Sequence, residues 1–259
     1  MRFRKYLEII KFQEKSQFQY LGNNIVWSFD RLGFVLGVIL IYVFSKGGNL
    51  GETIQYIAIS NVIYNLAYSW PNIDISSNIF DGKFSSDLLV PIPIYRKYFL
   101  IYIGKNIFGY FLATLPSMLI LIVFSWKFFT FQFSILNLIF SIPLILIGYW
   151  IYFSLSFIVG LLTFWVIKAD ATQELFYTIR SFFRGDLYNL TIPALYFSGI
   201  LYQPFAFTGH HIYMIFVGKY DPVQILWTYF GAIFWAIVLY FISKFILKLG
   251  LKKYESVGL

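Results

Sequence analysis

Apart from tyrosine, the groups available for chemistry are few: two histidines, 20 lysines and arginines, 12 acidic residues and no cysteine in 259 residues. Without cysteine there are no disulfides, thiolate metal sites or cysteine nucleophiles. His210 and His211 are adjacent, and neighbours on a helix point about 100° apart, which does not suit a shared metal. The acidic residues are scattered, with no i, i+3 or i, i+4 pair inside an apolar run. Neither H-E-x-x-H nor G-x-S-x-G occurs, and there is no G-x-x-x-x-G-K-[ST] phosphate loop. The chain is therefore expected to hold no metal or cofactor and to bind no nucleotide in that way. An intramembrane hydrolase needs a base facing its nucleophile, and both histidines fall in one expected outer loop.

Polar residues within apolar runs are the remaining chemistry. Arg180 and Arg184 are spaced i, i+4 and share a helix face. They could line a path for an anionic or amphipathic substrate, or pair structurally with Asp30 or Asp186. For Asp30 and Arg31 the structural reading, snorkelling or ion pairing, is the better one. Asn61 and Asn65, again i, i+4, make a polar stripe for helix–helix hydrogen bonds or for a substrate path.

The elements that position these residues are apolar helices. Hydrophobic residues make up 59% of the chain and charged residues 12%, against about 45–50% and about 25% in ordinary globular domains. Aromatics reach 23%. So much apolar surface needs lipid as its solvent, which excludes soluble enzymes, disordered chains and fibrous proteins. A bilayer core about 30 Å thick takes roughly 20 apolar residues per helix. Candidate spans lie near residues 25–44, 54–70, 101–126, 136–167, 172–191 and 223–246. The runs are continuous, where barrel strands would alternate.

The net charge of +8 follows the positive-inside rule rather than nucleic acid binding. Six spans put both termini on one side. Arg2, Lys83, Arg96, Lys97, Lys252 and Lys253 then fall there with most other cations, leaving only Lys46, Lys127 and Lys219 opposite. Both ends are expected in the cytoplasm. Lys11, Glu14 and Lys15 interrupt any leader-type apolar run, which argues against a cleaved signal peptide. Residues 1–24 alternate apolar and basic positions at helical spacing, as in a helix lying in the headgroup plane. Residues 71–98 form an expected cytoplasmic loop. Within it Phe84, Leu88 and Leu89 suggest one short apolar face ended by Pro91 and Pro93. Residues 192–217 are too interrupted to cross once and too apolar for a wet loop, so a pair of short half-buried outer helices is expected.

Four stretches carry a resemblance. The first is Gly82-Lys83-Phe84-Ser85-Ser86-Asp87-Leu88-Leu89-Val90-Pro91, and the second Gly160-Leu161-Leu162-Thr163-Phe164-Trp165. The third is Phe183-Arg184-Gly185 with Pro204-Phe205 and Gly218; the fourth is the tail from Gly250 to Gly258. In this order the chain resembles a bacterial branch of membrane subunits of exporter-type, second-class ABC transporters. It departs from that pattern at Arg184, where a small residue is expected, and at Tyr188 to Thr191, where a proline is usual.

The resemblance implies an all-α, polytopic permease of six transmembrane helices in a bacterial cytoplasmic membrane. It has an N-terminal interfacial elbow helix and an outer re-entrant segment containing Gly185, Pro204 and Gly218. The segment with Asp81, Gly82, Phe84, Ser85, Leu88, Leu89 and Pro91 is implied to dock on a separate ABC ATPase subunit, which binds ATP and Mg. A dimer, with a second copy or a sister permease, is also implied, with Asn61, Asn65, Arg180 and Arg184 as candidates for the translocation path. Two rivals belong to other classes: a non-transporting anchor or sensor that recruits a cytoplasmic partner, and an intramembrane lipid-modifying enzyme.

Overall fold

The computed structural model describes residues 50–109, 134–166, 169–185 and 198–254 continuously, with single positions elsewhere, among them 10–13. Asp30, Arg31 and Asp186, with most of 1–24, of the expected span at 25–44, of 110–133 and of 186–197, lie outside the described residues. Within the described residues there is no β-strand. The helices are α1 (Leu50–Leu66), α2 (Pro71–Phe80), α3 (Phe84–Leu88), α4 (Ile94–Gly109), α5 (Ile135–Leu161), α6 (Ala169–Arg184), α7 (His210–Phe216) and α8 (Pro222–Lys253). Single 3-10 turns cover Leu162–Phe164, Ser198–Leu201 and Pro204–Thr208.

Among the described residues, two helical runs are long and apolar enough to cross a membrane: Ile135–Phe164 and Pro222–Lys253. α8 starts on a capping box, in which the Asp221 carboxylate accepts from Gln224 N at 2.8 Å and the Gln224 side chain accepts from Asp221 N at 3.0 Å. Pro222 occupies the first turn, where its missing N–H costs nothing. Lys252 and Lys253 sit in the last turn, against the negative end of the helix dipole.

α8 turns its small residues inward. Thr228, Ala232, Ala236, Ser243 and Gly250 are buried, whereas Trp227, Phe230, Phe234, Phe241 and Phe245 are exposed. A helix in water does the opposite. Lipid is as apolar as a side chain, so large residues can face it while small ones let helix backbones approach.

α5 is the hub, packing most extensively on α8 and then on α2. Its approach to α2 is set by Gly160: a Cβ there would meet Asn72 Cα at 2.8 Å and Ile75 Cβ at 2.9 Å. One apolar cluster joins α1, α5, α7 and α8 through Tyr56, Leu144, Ile212 and Ala232. A second joins α2, α3, α4 and α5 through Ile75, Phe84, Tyr98 and Phe157. Residues 10–13 are helical and lie against α4, where Gly104 brings the Ile10 carbonyl within 3.0 Å of its Cβ position.

Several expected boundaries move. The second expected span, 54–70, is a helix only to Leu66, and Pro71 starts α2. The expected loop at 71–98 is mostly helical, because its apolar residues have α4 and α5 to pack on. The third helix begins at Ile94, directly after Pro93, rather than near residue 101. α6 ends at Arg184, and Gly185 takes φ +84°, a left-handed stop.

Candidate functional site

The α2–α3 hairpin is tied both at its turn and along its inner side. Pro71 opens α2, and its end is closed by Asp81 N donating to Ser77 O at 2.8 Å. Gly82 follows at φ +74°, a conformation in which a Cβ would be strained. Lys83 Nζ, 2.9 Å from the Asp81 carboxylate, holds that carboxyl below its ordinary range. α3 then runs for five residues and has no side-chain cap of its own at Lys83.

Within α3 the expected single apolar face divides. Phe84 is fully buried and Asp87 is buried, whereas Leu88 is 44% and Leu89 85% exposed. Phe84 is drawn inward by a ring cluster, packing edge-on to Phe164 and Tyr254 at centroid distances of 5.5 and 5.7 Å. The outward surface is therefore Leu88 and Leu89, followed by the turn through Pro91. Asp87 anchors the inner side: Lys97 Nζ lies 2.6 Å from its carboxylate, and Tyr98 and Asn78 both donate to its other oxygen. A buried carboxylate is stable only when paired and hydrogen-bonded in this way. Ser85 Oγ donates to Gly82 O at 2.9 Å, closing the turn.

Behind the hairpin, Asn72 joins three helices. Its side-chain oxygen accepts from Ser156 Oγ at 2.7 Å and its amide donates to Tyr177 Oη at 3.3 Å. Nearby, Lys105 pairs with Asp74 at 2.6 Å.

The two arginines of α6 sit among tyrosines. Arg180 donates to Tyr68 Oη at 2.7 Å and to Tyr152 Oη at 3.2 Å. Its guanidinium lies 5.4 Å from the Tyr177 ring centre. Arg184 is buried, with its guanidinium 4.4 Å from the Tyr64 ring centre and 5.6 Å from those of Tyr68 and Tyr152. Tyr64 also donates toward the carbonyls of Arg184 at 2.9 Å and Gly185 at 3.1 Å, pinning the end of α6 to α1. Ring faces and phenol oxygens thus hold both cations where α1, α5 and α6 meet.

Asn61 and Asn65 bond along their own helix: the Asn65 amide donates to Asn61 O at 2.7 Å and to Asn61 Oδ1 at 3.0 Å. Pro204 starts a 3-10 turn whose preceding residue, Gln203, accepts from Phe205 N at 2.7 Å. Gly218, at φ +73°, closes α7: Gly218 N donates to Ile215 O at 3.0 Å and Lys219 N to Met214 O at 2.9 Å.

His210 and His211 are not in an open loop. They start α7 and are buried. Leu201 O, a pure acceptor, lies 2.8 Å from His211 Nε2, so that nitrogen carries the proton and Nδ1 accepts from Tyr220 Oη at 2.7 Å. His211 faces an apolar cleft of about 780 Å³ between α7 and α8, lined also by Phe207, Trp227 and Phe230. No group of three or more His, Asp or Glu residues suited to a metal occurs among the described residues.

Sequence reasoning did not single out Asn72, Asp87, Lys97, Tyr98 or the tyrosine cage. Tyr64 and Tyr68, spaced i, i+4, the first on the helix that carries Asn61 and Asn65 and the second just past its end, are the available signal for the cage.

The sequence model of the family described as ABC-2 family transporter protein matches residues 27–258. No curated protein and no solved structure matches the chain. The family match covers nearly the whole length, and α5 and α8 are apolar helices of membrane-crossing length. The chain belongs to the ABC-2 family of transporter proteins, as a membrane permease.

Proposed function

We propose that this chain is the transmembrane permease subunit of an ATP-driven exporter, worked by a separate ABC ATPase that binds ATP and Mg. The ATPase docks on the segment 81–91. The observation that carries this reading is the division of α3: Leu88 and Leu89 project outward from a hairpin whose inner side is fixed by Phe84 and Asp87. An exposed pair of leucines on a rigid mount suits insertion into an apolar groove of a partner.

In this reading the permease has six spans with both termini in the cytoplasm of a bacterium, and it works as a dimer with a second copy or a sister permease. Residues 1–24 form the interfacial elbow, and 192–217 the outer re-entrant segment. Asn61, Asn65, Arg180 and Arg184 border the translocation path. ATP binding by the partner favours one of two bundle states, and only that difference can drive transport.

The test is co-purification from native membranes. The tagged chain is expected to bring a P-loop ATPase in stoichiometric amount. The Leu88→Asp, Leu89→Asp double variant is expected to accumulate normally and lose it, because two charges cannot enter an apolar groove. An ATPase retained at full stoichiometry by the double variant would overturn the docking assignment.

A further inference from the structure

Tyr254, directly after α8, reaches back to the hairpin more than 160 residues earlier. Its hydroxyl donates to Gly82 O at 2.8 Å and accepts from Ser85 N at 3.2 Å. Ser85 N lies in the first turn of α3, where backbone donors have no partner within the helix. Lys83 supplies no side-chain cap, so the phenol of Tyr254 does the capping from a distance. Its ring completes a triangle: Tyr254 to Phe84 is 5.7 Å, Tyr254 to Phe164 is 5.7 Å, and Phe84 to Phe164 is 5.5 Å. Phe164 ends the apolar run begun by α5, and its ring also covers Gly250 of α8, where a Cβ would collide with it. The hairpin turn, the end of α5 and the end of α8 thus meet on three rings and one hydroxyl.

We propose that Tyr254 is a positioning residue that relays displacement of the hairpin to α8. The proposal rests on the reading that an ATPase docks on segment 81–91. The hairpin has a second tether, from Asp87 to Lys97 on α4. The tyrosine route is distinct because it joins the hairpin directly to the ends of both long apolar helices. A push on Leu88 and Leu89 moves Gly82 and Ser85, and the hydroxyl between them makes α8 follow.

The chain has no cysteine, so a single introduced one reports cleanly. Val223, 62% exposed, lies at the far end of α8. Val223→Cys is placed in the full-length chain and isolated in membrane vesicles with its co-purifying ATPase. Labelling by a maleimide is timed with and without ATP plus vanadate. With Tyr254 intact, nucleotide is expected to change the labelling rate about threefold or more, as expected for a shift between two states.

Tyr254→Phe keeps the rings and removes both hydrogen bonds. It should abolish most of that change while the ATPase remains bound and hydrolyses ATP. Lys105→Ala, which releases only the part-exposed pair from α4 to Asp74 of α2, should leave the response largely intact.

The relay is overturned by an undiminished response in Tyr254→Phe, by loss of the response in Lys105→Ala alone, or by detachment of the ATPase from Tyr254→Phe. It is equally overturned if α8 shows no nucleotide response with Tyr254 intact. An unaltered chain that brings no ATPase sinks the functional reading itself, a different failure from any of these.

Discussion

Burial determines how the two histidines behave. Removal from water pushes His211 down to about 4 and His210 well below its ordinary value. Both are therefore neutral in the folded chain at pH 7, while in the unfolded chain they protonate near pH 6.5. The unfolded state binds protons first as pH falls, so stability is full above about pH 6.5 and declines from there toward pH 4. The thermal midpoint in detergent is expected to drop between pH 7.5 and pH 5. His211→Gln keeps one donor for Leu201 O and one acceptor for Tyr220 without a titrating ring. It should reduce that drop by roughly half, leaving the His210 share. An unchanged pH dependence would show that His211 does not bear the burial cost. Residue-scale chemistry was only partly legible in the sequence. The i, i+4 spacing put Arg180 and Arg184 together, and they do share one tyrosine cluster. The cage itself draws Tyr64 from α1, Tyr68 from the segment just after it and Tyr152 from α5, and partners so distant in sequence leave no local pattern.

At the scale of elements, the close approach of α5 to α2 depends on one missing side chain. Gly160→Val would push atoms into the backbone of Asn72, and the helices would have to part. Overpacking of this kind costs about 1–3 kcal/mol, and separation would also stretch the 2.7 Å bond from Ser156 to Asn72. A lower midpoint and a shifted gel-filtration profile in detergent are expected; an unaltered midpoint would mean that the helices are not held at this distance. The long apolar runs were read correctly as α5 and α8, because periodicity is irrelevant where lipid surrounds the helix and only length and apolarity count. The short helix at α3 is legible from Phe84, Leu88 and Leu89, but α2 is not, because its ten residues are stable only through packing on α4 and α5. Phe84 was grouped with the leucines for the same reason: a helix of five residues does not reveal from its own sequence which side its neighbours cover.

For the whole molecule, the bond from Tyr254 to Gly82 fixes a relation that topology must respect. The hairpin and the C-terminal end of α8 are on one face, so a crossing α8 puts Lys219 on the other. Lys83, Lys97, Lys248, Lys252 and Lys253 accompany the hairpin face or the α8 end nearest to it, in agreement with the charge asymmetry of the sequence. A single cysteine at Lys219 is expected to react with a membrane-impermeant maleimide in intact cells. One at Ser86 should react only after the cells are opened. Equal labelling of both in intact cells would refute a crossing α8.

At about 1.5 Å per residue, the 32 residues of α8 extend about 48 Å, while the hydrocarbon layer is about 30 Å thick. The excess has to be absorbed by inclination, or by standing clear of the lipid. Because Tyr254 binds the hairpin to the end of this rod, the height of Leu88 and Leu89 above the headgroups varies with how far the rod leans. If the leucine pair is the ATPase contact proposed above, acyl-chain length controls that engagement: thicker bilayers draw the pair toward the headgroups, and thinner ones leave it further out or more inclined. Reconstitution in a series of phosphatidylcholines of increasing chain length, with ATPase binding measured in each, should give a graded response rather than a constant one.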